Sequence, residues 1–352
     1  MVEKKKIKVL LVDDSPTVLD LLKQILDSDP QIEVIGKAYT GKRALEFIKH
    51  QKPDVISMDM DMPEMNGLEA TRIIMETDPI PIIIVSSSWS PSEVNNTYNA
   101  MDAGAVAILS KPRGIGHPDH NRMAINLIRN VKVMSEVKLV KRIRKIRNEK
   151  TDLPPVKVEH KRDDIKIIAI GGSTGALQVF KEILILLPKN LPVPVLIVQH
   201  IAKGFLNGFV NWLVKLTGQQ VHVAGDKEKP IPGHFYVAPN GFQMGINGSG
   251  NIDLSSSNPM NNLCPSVSWL FRSVADNYGK NAIGVLLTGM GKDGSYELKM
   301  MSDKGAITIA QDEKSSVIFG MPGEAVKLGG ARYILPPEKI AEKIKQLVGA
   351  KK

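Results

Sequence analysis

The first part of the chain alternates short apolar runs with stretches in which apolar residues recur every three or four positions. This alternation repeats five times, and the apolar runs are Lys8–Val12, Glu33–Ala38, Val55–Met58, Ile82–Ser86 and Ala105–Leu109. The runs predict buried strands, and the spaced stretches predict helices with one apolar face. A repeated βα order predicts an α/β domain with a five-stranded parallel sheet covered by helices on both faces.

A second alternation begins at Ile165–Ile170 and continues to the end of the chain. The run Ile165–Ile170 predicts a strand, and it is followed by a predicted helix from Leu177 to Leu187. Further strands are predicted at Val195–Val198 and Ile283–Leu287. The pattern predicts a second doubly wound α/β domain with a mostly parallel sheet. The chain is thus expected to hold two domains of the same general class.

A basic segment separates the two alternating regions. Twelve Lys or Arg and six Asp or Glu lie between Lys132 and Lys166. A helical period from Ile125 to Ile143 runs into Asp152–Pro155, which predicts a helix that leads into an exposed linker. We predict a first domain at 5–131, a basic helix and linker at 132–164, and a second domain at 165–348. The linker is either a solvated spacer or a surface for an acidic partner.

Composition narrows the class of protein. The chain has 352 residues, 43% of them apolar, and its single cysteine, Cys264, excludes an internal disulfide and a thiolate zinc site and fits a reducing compartment. No apolar run approaches the roughly 20 residues that cross a bilayer, so we expect a cytoplasmic protein. A net charge of +9 could indicate a nucleic-acid partner. The sequence has no recognition-helix pattern, however, and only 5% of its residues are aromatic, which disfavours nucleic acid.

Chemically active side chains follow the strands of the first domain. Asp13 and Asp14 follow the first strand, Asp59 the third and Lys111 the fifth, while Ser86 ends the fourth. The carboxyl ends of parallel strands share one sheet edge, so we expect these groups to converge. Three converging carboxylates need a hard cation such as Mg²⁺, and an Asp beside it can attack a phosphoryl group that Lys111 and Ser86 contact. The alternative is a set of turn-capping acids and a surface lysine.

The same residues resemble the motif set of two-component response-regulator receiver domains. The matching stretches are Val12–Ser15, Asp59–Pro63 with Asn66-Gly67, Ser86 and Lys111-Pro112. The resemblance implies a flavodoxin-like sheet, Asp59 as the phosphoacceptor with Asp13 and Asp14 beside it on Mg²⁺, and a histidine kinase of the chemotaxis type as phosphodonor. Asp61 competes with Asp59 but is out of phase with the motif. Receivers usually carry an aromatic switch residue at the position of Ile108, so we expect phosphorylation without signalling by a rotating ring.

The second domain contains the residue types of a nucleophilic triad. Gly171–Gly175 fits G-x-S-x-G, a turn that lifts Ser173 to the start of a helix; a dinucleotide-binding loop is the alternative, although a clean G-x-G-x-x-G is missing. His200 and Asp293 follow two other predicted strands, so a base and an orienting carboxylate can meet the serine at one sheet edge. Glycines around Met290 would expose N–H groups to an oxyanion. His222 and His234 are competing histidines.

The order Ser, His, Asp along the chain differs from that of the common hydrolase folds. It resembles instead the chemotaxis protein-glutamate methylesterase/protein-glutamine glutaminase family, CheB. The matching stretches are Gly171–Gly175, Gln199-His200 with Gly204-Phe205, Pro232–His234 with Ala238-Pro239, Pro265–Val267, Thr288–Gly294 and Val317–Pro322.

This second resemblance implies a role for each matching residue. Ser173 would be the nucleophile, His200 the general base and Asp293 its orienting carboxylate, with the Met290 N–H on the oxyanion and Thr174 in support. The family removes methyl groups from glutamate γ-esters on chemoreceptor cytoplasmic helices, releasing methanol, and deamidates receptor glutamines, with no cofactor at the hydrolase site. Association with membrane receptors would be peripheral only.

Two departures from the family pattern, Ala176 and Leu263–Ser268, lie outside the triad in sequence. We expect them to affect substrate contacts and specificity more than chemistry. We further hypothesise that the unphosphorylated receiver restricts access to Ser173 and that phosphorylation of Asp59 relieves this restriction. Two alternatives stay open: a phosphorylation-gated binding regulator acting on a non-motility receptor pathway, and a transcriptional response regulator, which a long βα output region disfavours.

Overall fold

The computed structural model describes residues 5–87, 91–137, 164–256, 260 and 263–349. The chain divides after Thr151 into two compact units, and each unit has its own sheet. Most of the predicted basic linker, residues 138–163, lies outside the described residues. No helix in the described ranges combines the length and the apolar character that crossing a membrane requires.

The N-terminal unit is a five-stranded parallel sheet with five helices. Its strands are β1 (Ile7–Val12), β2 (Ile32–Ala38), β3 (Val55–Met58), β4 (Ile82–Ser86) and β5 (Ala107–Ser110). Its helices are α1 (Pro16–Asp27), α2 (Gly41–His50), α3 (Gly67–Thr77), α4 (Pro91–Ala103) and α5 (His120–Met134). The strand order is β2-β1-β3-β4-β5 and all pairs are parallel, which confirms the predicted flavodoxin-like sheet.

Short polar side chains start three of these helices. The Ser15 hydroxyl, the Thr40 hydroxyl and the Asn66 amide oxygen each accept a hydrogen bond from a backbone N–H three residues onward. Such caps satisfy one of the N–H groups that a helix start leaves without a partner. The caps therefore fix where each helix begins, and with it the length of the loop that follows each strand.

The last helix of this unit is shorter than its apolar pattern predicts. Helix α5 ends at Met134, and the next turn is closed by bonds of the tighter i to i−3 type from Glu136 and Val137. The predicted helical period continues to Ile143, but Val137 already lies beyond the helix. The Ser135 hydroxyl donates to the carbonyl of Lys132, which competes with continuation of the helix. Later positions of that period lie outside the described residues.

The C-terminal unit is built on a seven-stranded parallel sheet. Its strands are β6 (Ile167–Gly172), β7 (Val195–Gln199), β8 (Gln220–Val223), β9 (His234–Val237), β12 (Ala282–Leu286), β13 (Ile307–Gln311) and β14 (Tyr333–Leu335), and a separate antiparallel hairpin is formed by β10 (Gln243–Ile246) and β11 (Ile252–Ser255). The order across the large sheet is β14-β13-β12-β6-β7-β9-β8. This arrangement confirms the predicted doubly wound domain with a mostly parallel sheet.

The helices of this unit are α6 (Ala176–Leu186), α7 (Leu206–Thr217), α8 (Val267–Tyr278), α9 (Ser295–Asp303), α10 (Met321–Lys327) and α11 (Pro337–Val348). Helix α8 packs on β6 and on the hairpin strand β10. The buried face of α8 contributes Val267, Leu270, Phe271 and Val274 to the core that covers one side of the sheet. Strand β6 lies between β12 and β7, so the loops that follow these three strands meet at one edge.

Candidate functional site

Three carboxylates and a lysine meet at the carboxyl edge of the N-terminal sheet. Asp13 and Asp59 are buried and Asp14 is exposed, and one carboxylate oxygen of each lies within 4.8 Å of the others. Lys111 Nζ lies 2.8 Å from Asp13 Oδ2 and 3.0 Å from Asp59 Oδ2. This all-oxygen donor set fits a hard divalent cation such as Mg²⁺, with Lys111 as the neighbouring fixed charge.

Burial is the largest influence on the pKa of Asp59, whereas contacts with carboxylates set the net direction of the pKa shift of Lys111. Desolvation raises the pKa of Asp59 to about 6, Lys111 opposes that shift and the Asp13 carboxylate adds to it. Burial lowers the pKa of Lys111, but contact with Asp59 and Asp13 outweighs it, and the net pKa lies above its ordinary value. Lys111 is therefore held as a cation between two carboxylates.

The Asn66-Gly67 pair positions the start of helix α3 against the Asp59 backbone. A side-chain carbon at Gly67 would lie 2.0 Å from the Asp59 carbonyl oxygen, closer than any real contact. Asn66 caps the helix through Glu69 N–H at 2.9 Å. Glycine at this position therefore lets the helix approach the residue that carries the candidate phosphoacceptor.

The other residues predicted for this edge lie as their strands dictate. Ser86 is buried at the end of β4, and its carbonyl accepts a hydrogen bond from Lys111 N–H at 2.9 Å. Asp61 is exposed, unlike Asp59. Ile108 lies half-buried in β5 opposite Ile84 of β4. The structure thus brings Lys111 to Asp13 and Asp59. Of the two competing aspartates, Asp59 is buried and Asp61 is exposed.

Ser173, His200 and Asp293 form a continuous hydrogen-bonded chain in the C-terminal unit. Ser173 follows β6 and His200 follows β7, while Asp293 lies in the loop after β12. His200 Nδ1 lies 3.1 Å from Ser173 Oγ, and His200 Nε2 lies 3.0 Å from Asp293 Oδ2. Because an ionised carboxylate only accepts, the imidazole proton lies on Nε2 and leaves Nδ1 to accept from the serine. The two ring nitrogens have exchanged the roles they take in the Ser-His-Asp template of the serine proteases.

The start of helix α8 holds the Asp293 carboxylate. Oδ1 accepts from Ser266 Oγ at 2.7 Å and Ser268 N–H at 3.1 Å, and Oδ2 accepts from Val267 N–H at 2.6 Å. The expectation that residues 263–268 affect substrate contacts more than the catalytic groups is therefore wrong for Ser266 and Ser268. Both residues contact Asp293 in the folded chain, although they precede it by 27 and 25 positions in the sequence.

The electrostatic balance keeps Asp293 ionised. Burial raises the pKa of this carboxyl, but hydrogen bonds and charge contact with His200 and the bonds from Ser266 and Val267 outweigh it, so the net pKa lies below its ordinary value. The helix start adds a partial positive charge to these donors. A carboxylate held in this way can stabilise a positive charge on His200.

Two buried glutamines hold the backbone around the triad: Gln199 lies in a family-matching stretch but had no predicted role, and Gln243 was not predicted at all. Gln199 Nε2 donates to the carbonyl oxygens of Ser173 at 2.9 Å and His200 at 3.1 Å. Gln243 Oε1 accepts from Ser266 N–H at 2.8 Å, and its Nε2 donates to the Leu263 carbonyl. Gln199 stands at the end of a predicted strand, which was the available signal; nothing in the sequence linked Gln243 to Ser266.

The loop from Thr288 to Gly294 passes in front of Ser173 and is fixed at its first residue. Thr288 N–H donates to Gln311 Oε1 at 2.8 Å, its hydroxyl contacts the carbonyls of Thr174 and Ile318 at 3.1 Å, and its own carbonyl accepts from Ser173 N–H at 3.1 Å. Met290 is half-buried, and among the described residues its N–H has no protein acceptor. That N–H is available to an oxyanion.

Gly289 allows this loop to reach the serine. A side-chain carbon there would lie 2.7 Å from Ser173 Cβ and 2.3 Å from Met321 Sδ. The competing histidines are elsewhere: His222 Nε2 lies 2.7 Å from His234 Nδ1, on neighbouring strands β8 and β9. Of these three histidines, the structure brings His200 to Ser173 and pairs the other two with each other.

Comparison with known proteins gives two family matches and close full-length relatives. Residues 168–344 match the family described as CheB methylesterase, and residues 9–117 match the response regulator receiver domain. A protein-glutamate methylesterase/protein-glutamine glutaminase 1 of Syntrophus aciditrophicus (strain SB) is 52% identical over 98% of this chain and 99% of its own. A protein-glutamate methylesterase/protein-glutamine glutaminase of Nitrosospira multiformis is 48% identical over 97% of both chains.

One solved structure is similar to the C-terminal unit. The crystal structure of the Thermotoga maritima CheB methylesterase catalytic domain superposes with a TM-score of 0.50 and 37% sequence identity. The match covers 51% of this chain and 97% of that domain.

Proposed function

The chain belongs to the CheB methylesterase family and carries the response regulator receiver domain in the same polypeptide, and from this membership we propose how its residues perform the reaction. The activity is hydrolysis of glutamate γ-methyl esters, which releases methanol, together with deamidation of glutamine side chains on chemoreceptors. Both reactions convert an acyl derivative of the same side chain into a carboxylate. This conversion adapts chemotaxis signalling.

The observation that carries the mechanism is the placement of His200 between Ser173 Oγ and Asp293. In the first half-reaction Ser173 Oγ attacks the γ-carbonyl carbon while its proton passes to His200 Nδ1. Asp293 stabilises the imidazolium that forms, because its ionised carboxylate accepts a hydrogen bond from the Nε2–H group. The Met290 N–H is the proposed donor to the oxyanion, with Thr174 supporting the loop through its carbonyl contact with Thr288.

The tetrahedral intermediate then collapses to the acyl-enzyme, which ends the first half-reaction, and water completes the turnover in the second. His200 Nδ1 gives its proton to the leaving group, which departs as methanol from an ester or ammonia from an amide. A water molecule then loses a proton to Nδ1 and attacks the acyl-enzyme carbonyl. Ser173 regains the proton as the glutamate carboxylate is released, so one triad serves both substrates.

The receiver supplies the control. We propose that the Asp59 carboxylate accepts a phosphoryl group from a histidine kinase of the chemotaxis type, with Lys111 and Ser86 contacting the transferred oxygens. Asp13, Asp14 and Asp59 are the residues that would hold Mg²⁺, which supplies charge neutralisation to the phosphoryl group. Phosphorylation is proposed to raise the rate at Ser173, and a change of about 1.4 kcal/mol in the equilibrium between active and inactive states is enough for a tenfold effect.

We also propose the organisation around this chemistry. The receiver occupies residues 5–131, the basic helix and linker 132–164 and the catalytic domain 165–348. The substrate is proposed to be methylated chemoreceptor cytoplasmic helices, reached by peripheral association with the membrane receptors. The hydrolase site itself is proposed to work without a cofactor. A cytoplasmic location is proposed because the single cysteine fits a reducing compartment.

Methanol release from methylated receptor-containing membranes tests the function. Wild type and Ser173→Ala are compared, each with and without acetyl phosphate and Mg²⁺. Release by wild type that rises with acetyl phosphate and disappears in Ser173→Ala is the expected result. Equal release by both proteins would contradict Ser173 as the nucleophile. Serine-directed labelling of Ser173 without any methanol release would retain the triad and reject this substrate.

A further inference from the structure

Two exposed lysines lie on either side of the nucleophile at the carboxyl edge of the C-terminal sheet. Lys203 lies in the loop after β7, three residues beyond His200, and Lys292 lies in the loop after β12, directly before Asp293. Strand β6, which carries Ser173, is between β7 and β12. The loops that carry the two lysines therefore lie on either side of the loop that carries Ser173.

The charge around Ser173 is one-sided. The loops that follow β6, β7 and β12 contain a single carboxylate, Asp293, and that carboxylate is turned inward to His200 and the start of α8. The loop after the neighbouring strand β9, residues 238–242, has no charged residue. Outside these loops, Glu324 on α10 lies 3.7 Å from Lys292 Nζ, and Asp312 and Glu313 follow β13, one strand further out, together with Lys314.

Neither lysine is engaged in a strong structural ion pair. The Lys292 side chain is 79% exposed, and its nearest carboxylate, Glu324 on α10, lies 3.7 Å away. An exposed pair of this kind adds little to stability. Within the described residues, Lys203 is exposed and has no carboxylate within ion-pair distance. Both ammonium groups are therefore exposed to a charged partner from solution, which at Lys292 would compete with the weak contact to Glu324.

We propose that Lys203 and Lys292 form a cationic rim that binds carboxylates flanking the scissile γ-ester or amide, so that this enzyme prefers acidic peptide segments. The inference rests on the proposed hydrolase function. It follows from the chemistry of the product, because each turnover leaves a new carboxylate on the substrate. A segment with several reactive side chains becomes more acidic as it is processed, and a cationic rim then keeps it near Ser173.

The test uses the full-length protein with acetyl phosphate and Mg²⁺ and two synthetic peptides. Each peptide carries one glutamate γ-methyl ester, flanked in one peptide by Glu and Asp and in the other by Gln and Asn. The measured quantity is the ratio of kcat/KM for the acidic peptide to that for the neutral peptide. We expect a ratio of about five to ten for wild type at low salt, falling toward one as salt screens the charges.

Charge reversal on the rim is compared with charge reversal at the opposite sheet edge. Lys203→Glu and Lys292→Glu are matched by Lys189→Glu and Lys280→Glu, because the control lysines are exposed and precede the same two strands, β7 and β12. The rim variants are expected to lower the ratio at least fivefold, mainly through KM for the acidic peptide. The control variants are expected to keep the wild-type ratio, and Lys203→Arg and Lys292→Arg to retain it.

Using a ratio separates charge recognition from damage to the triad. A change at Lys292 that only disturbs Asp293 lowers kcat/KM for both peptides by the same factor and leaves their ratio unchanged. That outcome would overturn the proposal of a cationic rim. An equal fall of the ratio in the rim variants and the control variants would also overturn the proposal, since the overall charge of the protein would then explain the preference for the acidic peptide. No hydrolysis of either peptide by wild type, with receptor membranes also unreactive, would overturn the hydrolase function; hydrolysis of both at equal kcat/KM would overturn the rim alone.

Discussion

Ser266 donates a hydrogen bond of 2.7 Å to Asp293, so the carboxylate that orients His200 is itself held by the residue that starts helix α8. The two residues are 27 positions apart in the chain. Together with the N–H groups of Val267 and Ser268, this hydroxyl gives the Asp293 carboxylate a fixed direction. The helix that covers the sheet therefore also aligns the catalytic groups.

Removing the Ser266 hydroxyl tests this alignment. Ser266→Ala deletes one hydrogen bond to a buried charge, a bond worth about 1.5–3 kcal/mol. We expect kcat to fall about tenfold, since 1.4 kcal/mol of lost transition-state stabilisation corresponds to that factor. Steady-state methanol release gives kcat and KM. Ser273→Ala is the matched control on the same helix, because its hydroxyl bonds the Leu270 carbonyl and Ile246 N–H and does not contact the triad.

The two variants also differ in the expected pH profile. Ser266→Ala is expected to raise the pH at which activity is lost on the acid side, because Asp293 loses a donor that lowers its pKa. Ser273→Ala is expected to cost stability without moving that limb. An unchanged acid limb in both variants would assign Ser266 a purely structural role.

Stability of the protein at acid pH depends on the same carboxylate. The pKa of Asp293 is lower in the folded state than in the unfolded chain, so its contribution to the free energy of unfolding is fully present above the unfolded value of about 3.9. The contribution is lost as the pH falls through the folded pKa. We expect urea unfolding between pH 3 and pH 7 to show this loss below about pH 4. Asp293→Asn is expected to reduce that part of the pH dependence, and an identical dependence in wild type and variant would contradict the assignment.

Gly289 is predicted to be intolerant of even one added methyl group. In Gly289→Ala the new carbon meets Ser173 Cβ and Met321 Sδ, so the loop or the serine must shift. A displacement of about 1 Å at reacting atoms costs on the order of a hundredfold in rate. We expect kcat to fall about tenfold to a hundredfold, measured as methanol release and as labelling of Ser173 by a serine-directed inhibitor.

Gly248→Ala is the control for this change. Gly248 lies in the turn between β10 and β11, and among the described residues an added carbon there has only Asn277 Oδ1 within 4 Å, at 3.8 Å. This variant is expected to keep wild-type activity. Normal labelling and turnover in Gly289→Ala would show that the loop does not need its close approach to Ser173.

Phosphorylation should distinguish two neighbouring aspartates. Asp59 is buried beside Asp13 and Lys111, whereas Asp61 is exposed. Asp59→Asn is expected to abolish both incorporation of phosphate from labelled acetyl phosphate and stimulation of methanol release. Asp61→Asn is expected to keep both. Removal of Mg²⁺ with EDTA should prevent incorporation in wild type, because Lys111 alone does not balance three carboxylates and an incoming phosphoryl group. Phosphate on Asp61 in the Asp59→Asn protein would show that the site tolerates either residue.

Local pattern predicted the five strands of the N-terminal unit and β6, β7 and β12 of the C-terminal unit, with less accurate ends, but it did not predict β8, β9, β13, β14 or the hairpin of β10 and β11. Lys8–Val12 was predicted and Ile7–Val12 is observed, because a buried parallel strand is an uninterrupted apolar run. The fifth strand was predicted at 105–109 and is observed at Ala107–Ser110, since Ala105 and Val106 are apolar but precede the paired segment. Helix α5 ends at Met134, before the end of the apolar spacing that predicted it. The hydrogen bonds that close its last turn cannot be inferred from the pattern of apolar residues.

Parallel topology allowed the sequence to place Ser173, His200 and Asp293 at one edge, because each follows a predicted strand. It could not reveal Ser266, Ser268 or Gln243, whose contacts with the catalytic loop depend on how α8 and β10 pack. It also could not tell which imidazole nitrogen faces the serine. That orientation depends on the positions of β7 and β12 on either side of β6, which only the folded sheet specifies.

Hydrogen bonds hold both ends of the loop that carries Met290 and Lys292. Thr288 bonds to Gln311 and Ile318 at one end, and Asp293 bonds to the start of helix α8 at the other. Its proposed oxyanion donor, the Met290 N–H, belongs to the main chain, whereas the side chains at 290 and 292 take no part in those anchoring bonds. In the proposed mechanism, recognition and chemistry are therefore carried by different atoms of the same seven residues. The Lys292 side chain can be exchanged while the anchoring bonds at Thr288 and Asp293 stay in place.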